Sequence, residues 1–134
     1  MSRFFDTNVL VYAFLDGPKR MRAQQALAEG GIISAQVLNE FTHVSRRKHL
    51  RDWPEIEAAL GVIRGRFPVV APLTEQTHAA ALALARDHGF AFYDALIVAA
   101  AIEAGCDTLV TEDMQHGRTI DALTICDPFR QSAS

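Results

Sequence analysis

Residues 93–105 read YDALIVAAAIEAG, and from Ala95 to Ile102 no polar side chain interrupts the run. Wound at 3.6 residues per turn, that segment is apolar around nearly its whole circumference, so water must be kept off every side of it. A helix of this kind belongs at the centre of a fold, not on its rim. The run is also far short of the ~20 residues that span a bilayer, so a protein core is where it is expected to sit.

The rest of the chain offers material to surround it. Short apolar segments, RFF at 3–5, IIS at 32–34, PVVA at 68–71, DTLVT at 107–111 and LTICD at 123–127, read as strands, and helical segments fall between them. The stretch from Val9 to Leu15 is apolar and leads into the turn DGPK at 16–19. A helix over about 20–29 is closed by Gly30 and Gly31, residues suited to a left-handed cap. Ser34 can cap the helix AQVLNEFTHVSRRKHL, whose Val37, Leu38, Phe41 and Val44 form a core-facing stripe. Asp52, Pro54 and Glu55 have the spacing of a capping box, which starts a helix with Ile56, Ala59, Leu60 and Ile63 on its inner face. Thr74 can cap another that runs to Gly89. Apolar strands alternating with helices predict an α/β fold, a three-layer sandwich around a mainly parallel central sheet. With 134 residues, one domain over 1–130 and a loose tail at 131–134 account for the chain.

Composition narrows the class. The chain is 49% hydrophobic and 22% charged, as in ordinary soluble globular proteins, and its net charge of −3 argues against binding nucleic acid by bulk charge alone. Cys106 and Cys126 are isolated, form no CxxC and sit among apolar residues, which fits buried thiols in a reducing compartment. The start, MSRFFD, has no secretory pattern, so a cytoplasmic location with no membrane association is expected.

Against that background the placement of acids needs explaining. Asp6 ends the first strand, and Glu40 lies at the margin of the apolar stripe on the helix after the second. Asp94 falls in the first turn of the buried helix, while Glu112 and Asp113 follow the strand TLVT. Ligand sites in open α/β sheets lie beyond the carboxyl ends of the strands, which is the rim these segments share. Each acid has an ordinary structural explanation: Asp6 as a helix cap, Glu40 as a surface residue, Asp94 as a dipole partner, Asp113 as a turn residue. Together they would repel one another and raise one another's pKa values, a conflict that a divalent cation removes. Several hard oxygen donors suit Mg²⁺ or Mn²⁺.

The segments FFDTNVLVYA, SAQVLNEF and FYDALIVAAAIEAGCDTLVTEDMQHG, in that order, resemble the motifs of the PIN-domain nucleases, most closely the VapC-type toxins of bacterial toxin–antitoxin pairs. The resemblance covers nearly the whole chain. It implies a PIN-like fold and places the family's catalytic, metal-holding acids at Asp6, Glu40, Asp94 and Asp113. Asn8 and Thr111 then fall where small polar residues orient ligands or water, and Glu112 is an auxiliary acid at a variable position. It further implies a Mg²⁺- or Mn²⁺-dependent endoribonuclease leaving a 5′-phosphate and a 3′-hydroxyl, a homodimer, and a small cognate antitoxin whose C-terminal segment occupies the acidic groove. Val11, Tyr12 and Leu27 on the early helices could serve such interfaces or simply the core.

No other catalytic apparatus competes. There is no GxSxG, and His43, His49, His78, His88 and His116 lack HExxH or zinc spacing, so surface or core roles are expected for them. Basic residues concentrate in PKRMR at 18–22 and SRRKHLR at 45–51, where Arg46, Arg47, Lys48 and Arg51 are the candidates for contacting phosphates beside the site. A haloacid-dehalogenase-like phosphatase would require a second Asp at position 8, which is Asn here. A receiver domain would require an acidic pair near the first strand and a later lysine, yet Lys48 is the last lysine. A non-catalytic PIN scaffold that binds RNA or a protein is the remaining alternative.

Overall fold

A computed structural model describes residues 2–130; the tail expected at 131–134 lies outside the described residues. The strands are β1 (Arg3–Phe5), β2 (Ile33–Ser34), β3 (Val70–Ala71), β4 (Thr108–Val110), β5 (Thr119–Ile120) and β6 (Leu123–Cys126). The helices are α1 (Thr7–Ala13), α2 (Arg20–Ala28), α3 (Ala35–Arg47), α4 (Trp53–Arg66), α5 (Glu75–His88) and α6 (Phe92–Glu103).

β1, β4 and β6 pair in parallel, and β2 pairs in parallel with β3. The two groups meet at a parallel bridge between Phe4 and Ile32, where Phe5 donates its N–H to the Ile32 carbonyl at 3.0 Å and Ile32 donates to Arg3 at 2.9 Å. The lateral order is therefore β3-β2-β1-β4-β6-β5, with β1 in the interior and only β5 antiparallel. A mainly parallel sheet flanked by helices is the architecture expected from the alternating pattern.

α6 sits where its composition requires, with every residue from Ala95 to Ala101 buried. α5 packs along it, and α3 and β4 also contact it. Phe4, Phe5, Leu109 and Ile125 from the central strands have no exposed surface.

The helix starts follow local chemistry. Ser34 accepts from the Val37 N–H, Asp52 and Glu55 form the reciprocal capping box, and Thr74 caps α5, which ends on Gly89 at φ 76°. Gly30, at φ 79°, is the left-handed residue after α2. Gly31 has a different task. A Cβ there would lie 2.6 Å from the Phe5 ring and 2.7 Å from the Arg3 carbonyl oxygen, so glycine is what lets the β2 segment approach β1.

Three local features depart from expectation. Val9–Ala13 belongs to α1, which begins at Thr7 because Asp6 caps it, while Phe14 closes the helix and Leu15 lies beyond it. α3 ends at Arg47, short of Leu50, whose φ of 52° is incompatible with a continuing helix. An additional strand, β5, folds back on β6 through Asp121 at φ 53°; two residues are too few to announce a strand by alternation. Val11 and Leu27 are buried in the core, and Tyr12 of that trio is half-buried.

Candidate active site

Parallel strands β1 and β4 end side by side, so the residues that follow them emerge together at one rim of the sheet. Asp6 follows β1; Thr111, Glu112 and Asp113 follow β4. α3 brings Glu40 to the same rim, and the first turn of α6 brings Asp94. Asp6, Glu40, Asp94 and Asp113 all line one cavity of about 380 Å³. Their burial is graded: Asp6 is 4% exposed, Glu40 and Asp94 are half-buried, and Asp113 is exposed.

A hydrogen-bonded frame holds this rim. One Asp6 oxygen accepts the Thr7 N–H at 2.7 Å, and the other accepts the Thr111 hydroxyl at 2.8 Å. With its proton committed to Asp6, the Thr111 oxygen accepts from the Asn8 amide at 3.3 Å and from the Asp113 N–H at 3.1 Å. The Asn8 amide also donates to the Asp113 carboxylate at 2.9 Å, and its carbonyl oxygen accepts the Glu112 N–H at 3.3 Å. Thr111 thus bonds both Asp6 and Asp113, and Asn8 bonds Thr111 and Asp113. Thr7 does the same for the third acid, donating its hydroxyl to Glu40 at 2.8 Å. Sequence reasoning passed over Thr7, although its place between the capping Asp6 and a helix that starts at once was a usable signal.

The acids are electrostatically strained. Burial pushes Asp6 up to about 7 despite the bonds from Thr111 and Thr7, and the charges of Glu40 and Asp94 add to the rise. Burial raises Asp94 as well, followed by repulsion from Asp113 and Glu40. Among the described residues, no group of three His, Cys, Asp or Glu stands close enough to form a ready-made metal site. The donor set itself fits a divalent cation: four carboxylates around one cavity supply hard oxygens, and a cation would relieve the repulsion that raises Asp6 and Asp94.

Glu112 is directed elsewhere. It accepts from the Tyr12 hydroxyl at 2.8 Å, pairs with the Lys19 ammonium and does not line the cavity. Burial would raise its pKa, but the bonds from Lys19 and Tyr12 outweigh that and hold it low. The Lys19 ammonium also lies over the Tyr12 ring at 4.7 Å and the Phe129 ring at 5.3 Å.

The basic residues separate in the same way. Arg46 stacks on Trp53 at 4.8 Å and donates to the Arg51 carbonyl at 3.2 Å, while Arg51 donates to the Phe14 carbonyl at 2.5 Å. Arg47 is exposed outside the cavity, and only Lys48 of the four candidates lines it. Two histidines expected to be filler, His43 and His49, line it with Lys48. His43 was legible in principle, because Glu40, His43, Val44 and Lys48 recur at the three-four spacing of one helix face. His116 has a structural part, accepting the Asp127 N–H on Nδ1 at 3.0 Å.

The family described as PIN domain matches residues 3–121 of this chain. Among curated proteins no sequence matches it. The fold is similar to a toxin–antitoxin complex from Klebsiella pneumoniae, with a TM-score of 0.74 and 22% identity, covering 97% of this chain and 100% of that one. VapBC2 from Rickettsia felis, bound to a DNA fragment from its promoter, gives a TM-score of 0.68 and 23% identity over 93% of this chain and 97% of the other. Mycobacterium tuberculosis VapC20, a Sarcin-Ricin loop cleaving toxin, gives 0.68 and 20% identity over 81% and 87%.

Proposed function

The chain belongs to the PIN domain family, and on that footing we propose that it is a cytoplasmic, metal-dependent endoribonuclease, the toxin of a toxin–antitoxin pair. The observation that carries this reading is the convergence of Asp6, Glu40, Asp94 and Asp113 on one cavity, with Asp6 raised to about 7 by burial and by its neighbours. These four acids would hold the cation, Mg²⁺ or Mn²⁺. When bound, it supplies an acidified water and neutralises charge on the phosphate under attack. A site built this way needs no serine nucleophile and no histidine base.

The chain's own residues supply the positioning. Thr111 fixes the face that Asp6 presents, Asn8 ties Asp113 to that face, and Thr7 holds Glu40 from the opposite wall. α1 with Leu15 beyond it forms one wall and α3 with its cap the other, so that Asn8, Val11, Tyr12 and Leu15 and then Glu40, His43, Val44 and Lys48 line the groove. The partners in this reading are RNA, a second copy of the chain, and a small antitoxin that blocks the acidic end. The similarity of the fold to two toxin–antitoxin assemblies supports the last of these.

The test is cleavage of a defined RNA by purified protein. Activity is expected with Mg²⁺ or Mn²⁺, none with a chelator, and none for Asp94→Asn with the fold intact. RNA binding without cleavage under all metal conditions would instead favour a non-catalytic scaffold, and release of inorganic phosphate from small esters would favour a phosphatase.

A further inference from the structure

The groove that holds the carboxylates is not acidic along its length. α3 carries Glu40 near its middle and Lys48 at its C-terminal cap, with His43 between them and His49 just beyond. Lys48 lies eight positions after Glu40, about 12 Å along the helix axis, which is the stacked length of about three nucleotides.

The basic end is also uncommitted. Lys19, Arg20, Arg22, Arg46 and Arg51 each have a partner within the protein. Among the described residues, the side chains of His43, Lys48 and His49 make no hydrogen bond or ion pair, and all three line the cavity. His43 and Lys48 are exposed and His49 is half-buried, so a ligand can reach them. Burial, followed by the charges of Lys48 and Arg51, lowers the pKa of His49.

We propose that Lys48, with His43 and His49, forms a phosphate subsite that grips the RNA backbone two or three nucleotides from the linkage lying at the carboxylates. The assignment rests on the ribonuclease reading above and deepens it. One groove wall sets the distance between the cut and the grip, so substrates too short to reach Lys48 lose affinity and not chemistry. Such a contact orients the strand without reading its sequence.

The experiment uses the whole protein with Mg²⁺ and a short oligoribonucleotide whose cleavage position has been mapped. Lys48→Met is expected to raise KM roughly 5- to 20-fold with kcat within about twofold, and to lower the salt slope of kcat/KM by about one. Lys48→Arg should restore most of the loss, and the pair His43→Gln/His49→Gln should give a smaller rise in KM. A single neutral methylphosphonate two or three linkages from the cut should weaken the wild type by the same factor and leave Lys48→Met unaffected. Arg64→Met, on the exposed side of α4, is the control and should behave as wild type. Unchanged KM and salt slope in Lys48→Met, or a methylphosphonate penalty that persists in that variant, would overturn the subsite while the nuclease stands, and the basic end would then be left for an acidic segment of a protein partner. A wild type that cuts no RNA would remove both the function and the subsite.

Discussion

Asp6 concentrates the energetics of the site in one side chain. It caps α1, accepts the Thr111 hydroxyl and is almost fully buried, so its charge is costly wherever no cation shares the cavity. Its folded pKa of about 7 lies above the ordinary value of 3.8, so the folded state binds the proton more tightly than the unfolded chain does. With a chelator present, the contribution of Asp6 to stability should therefore be complete below about pH 4, be lost as pH rises through about 7, and level off above it. Asp6→Asn removes that dependence and should raise the midpoint of thermal unfolding at pH 8, with an upper limit on the order of 4 kcal/mol, while abolishing cleavage. Melting curves from pH 5 to 8 check this; an Asn variant less stable than wild type at pH 8 would contradict it. Thr7 invites a second substitution at this scale. Thr7→Val deletes the hydroxyl that holds Glu40 and should lower kcat by roughly tenfold or more with an unchanged fold, with Thr7→Ser restoring activity.

At the scale of elements, the approach of β2 to β1 depends on the absence of a side chain at Gly31. Gly31→Ala would force the new methyl group against the Phe5 ring and the Arg3 carbonyl, both parts of the innermost strand. A loss of roughly 2–4 kcal/mol in denaturant unfolding is expected, whereas Thr74→Ala, which removes only the cap of α5, should cost about 1 kcal/mol. α3 plays two parts along its length. Its Val37 and Phe41 face the core, and its Glu40, His43, Val44 and Lys48 face the groove, so one amphipathic helix sets both the packing and the spacing of charges in the cavity.

For the whole molecule, the carboxylate rim couples ion binding to stability. A divalent ion that binds the folded chain and not the unfolded one stabilises it by about 2.7 kcal/mol at a concentration one hundred times its dissociation constant. Titration with Mg²⁺ or Mn²⁺ should therefore raise the unfolding midpoint of the wild type at pH 8, and raise it less in Asp94→Asn. Equal shifts in both proteins would mean that the ion binds elsewhere. Among the described residues no helix is long and apolar enough to cross a membrane, and the most apolar one, α6, is enclosed by α5, α3 and the sheet.

What the order of residues decides by itself is local or periodic. The all-round apolar character of α6 places it at the centre, and side-chain oxygens set the starts of α3, α4 and α5 at Ser34, Asp52 and Thr74, because a cap needs only neighbours two or three positions away. The motif acids were identifiable through short patterns as well, Asp6 just after β1, Glu40 on α3, Asp94 in the first turn of α6 and Asp113 just after β4. Tertiary structure decided how these segments meet across more than a hundred positions of chain. It bonds Thr111 to both Asp6 and Asp113, turns Glu112 away to Lys19, removes Arg46 and Arg51 from the groove and leaves Lys48 with two histidines inside it. Those outcomes depend on the register of β1 against β4 and on the angle of α3 to the sheet, and packing sets both.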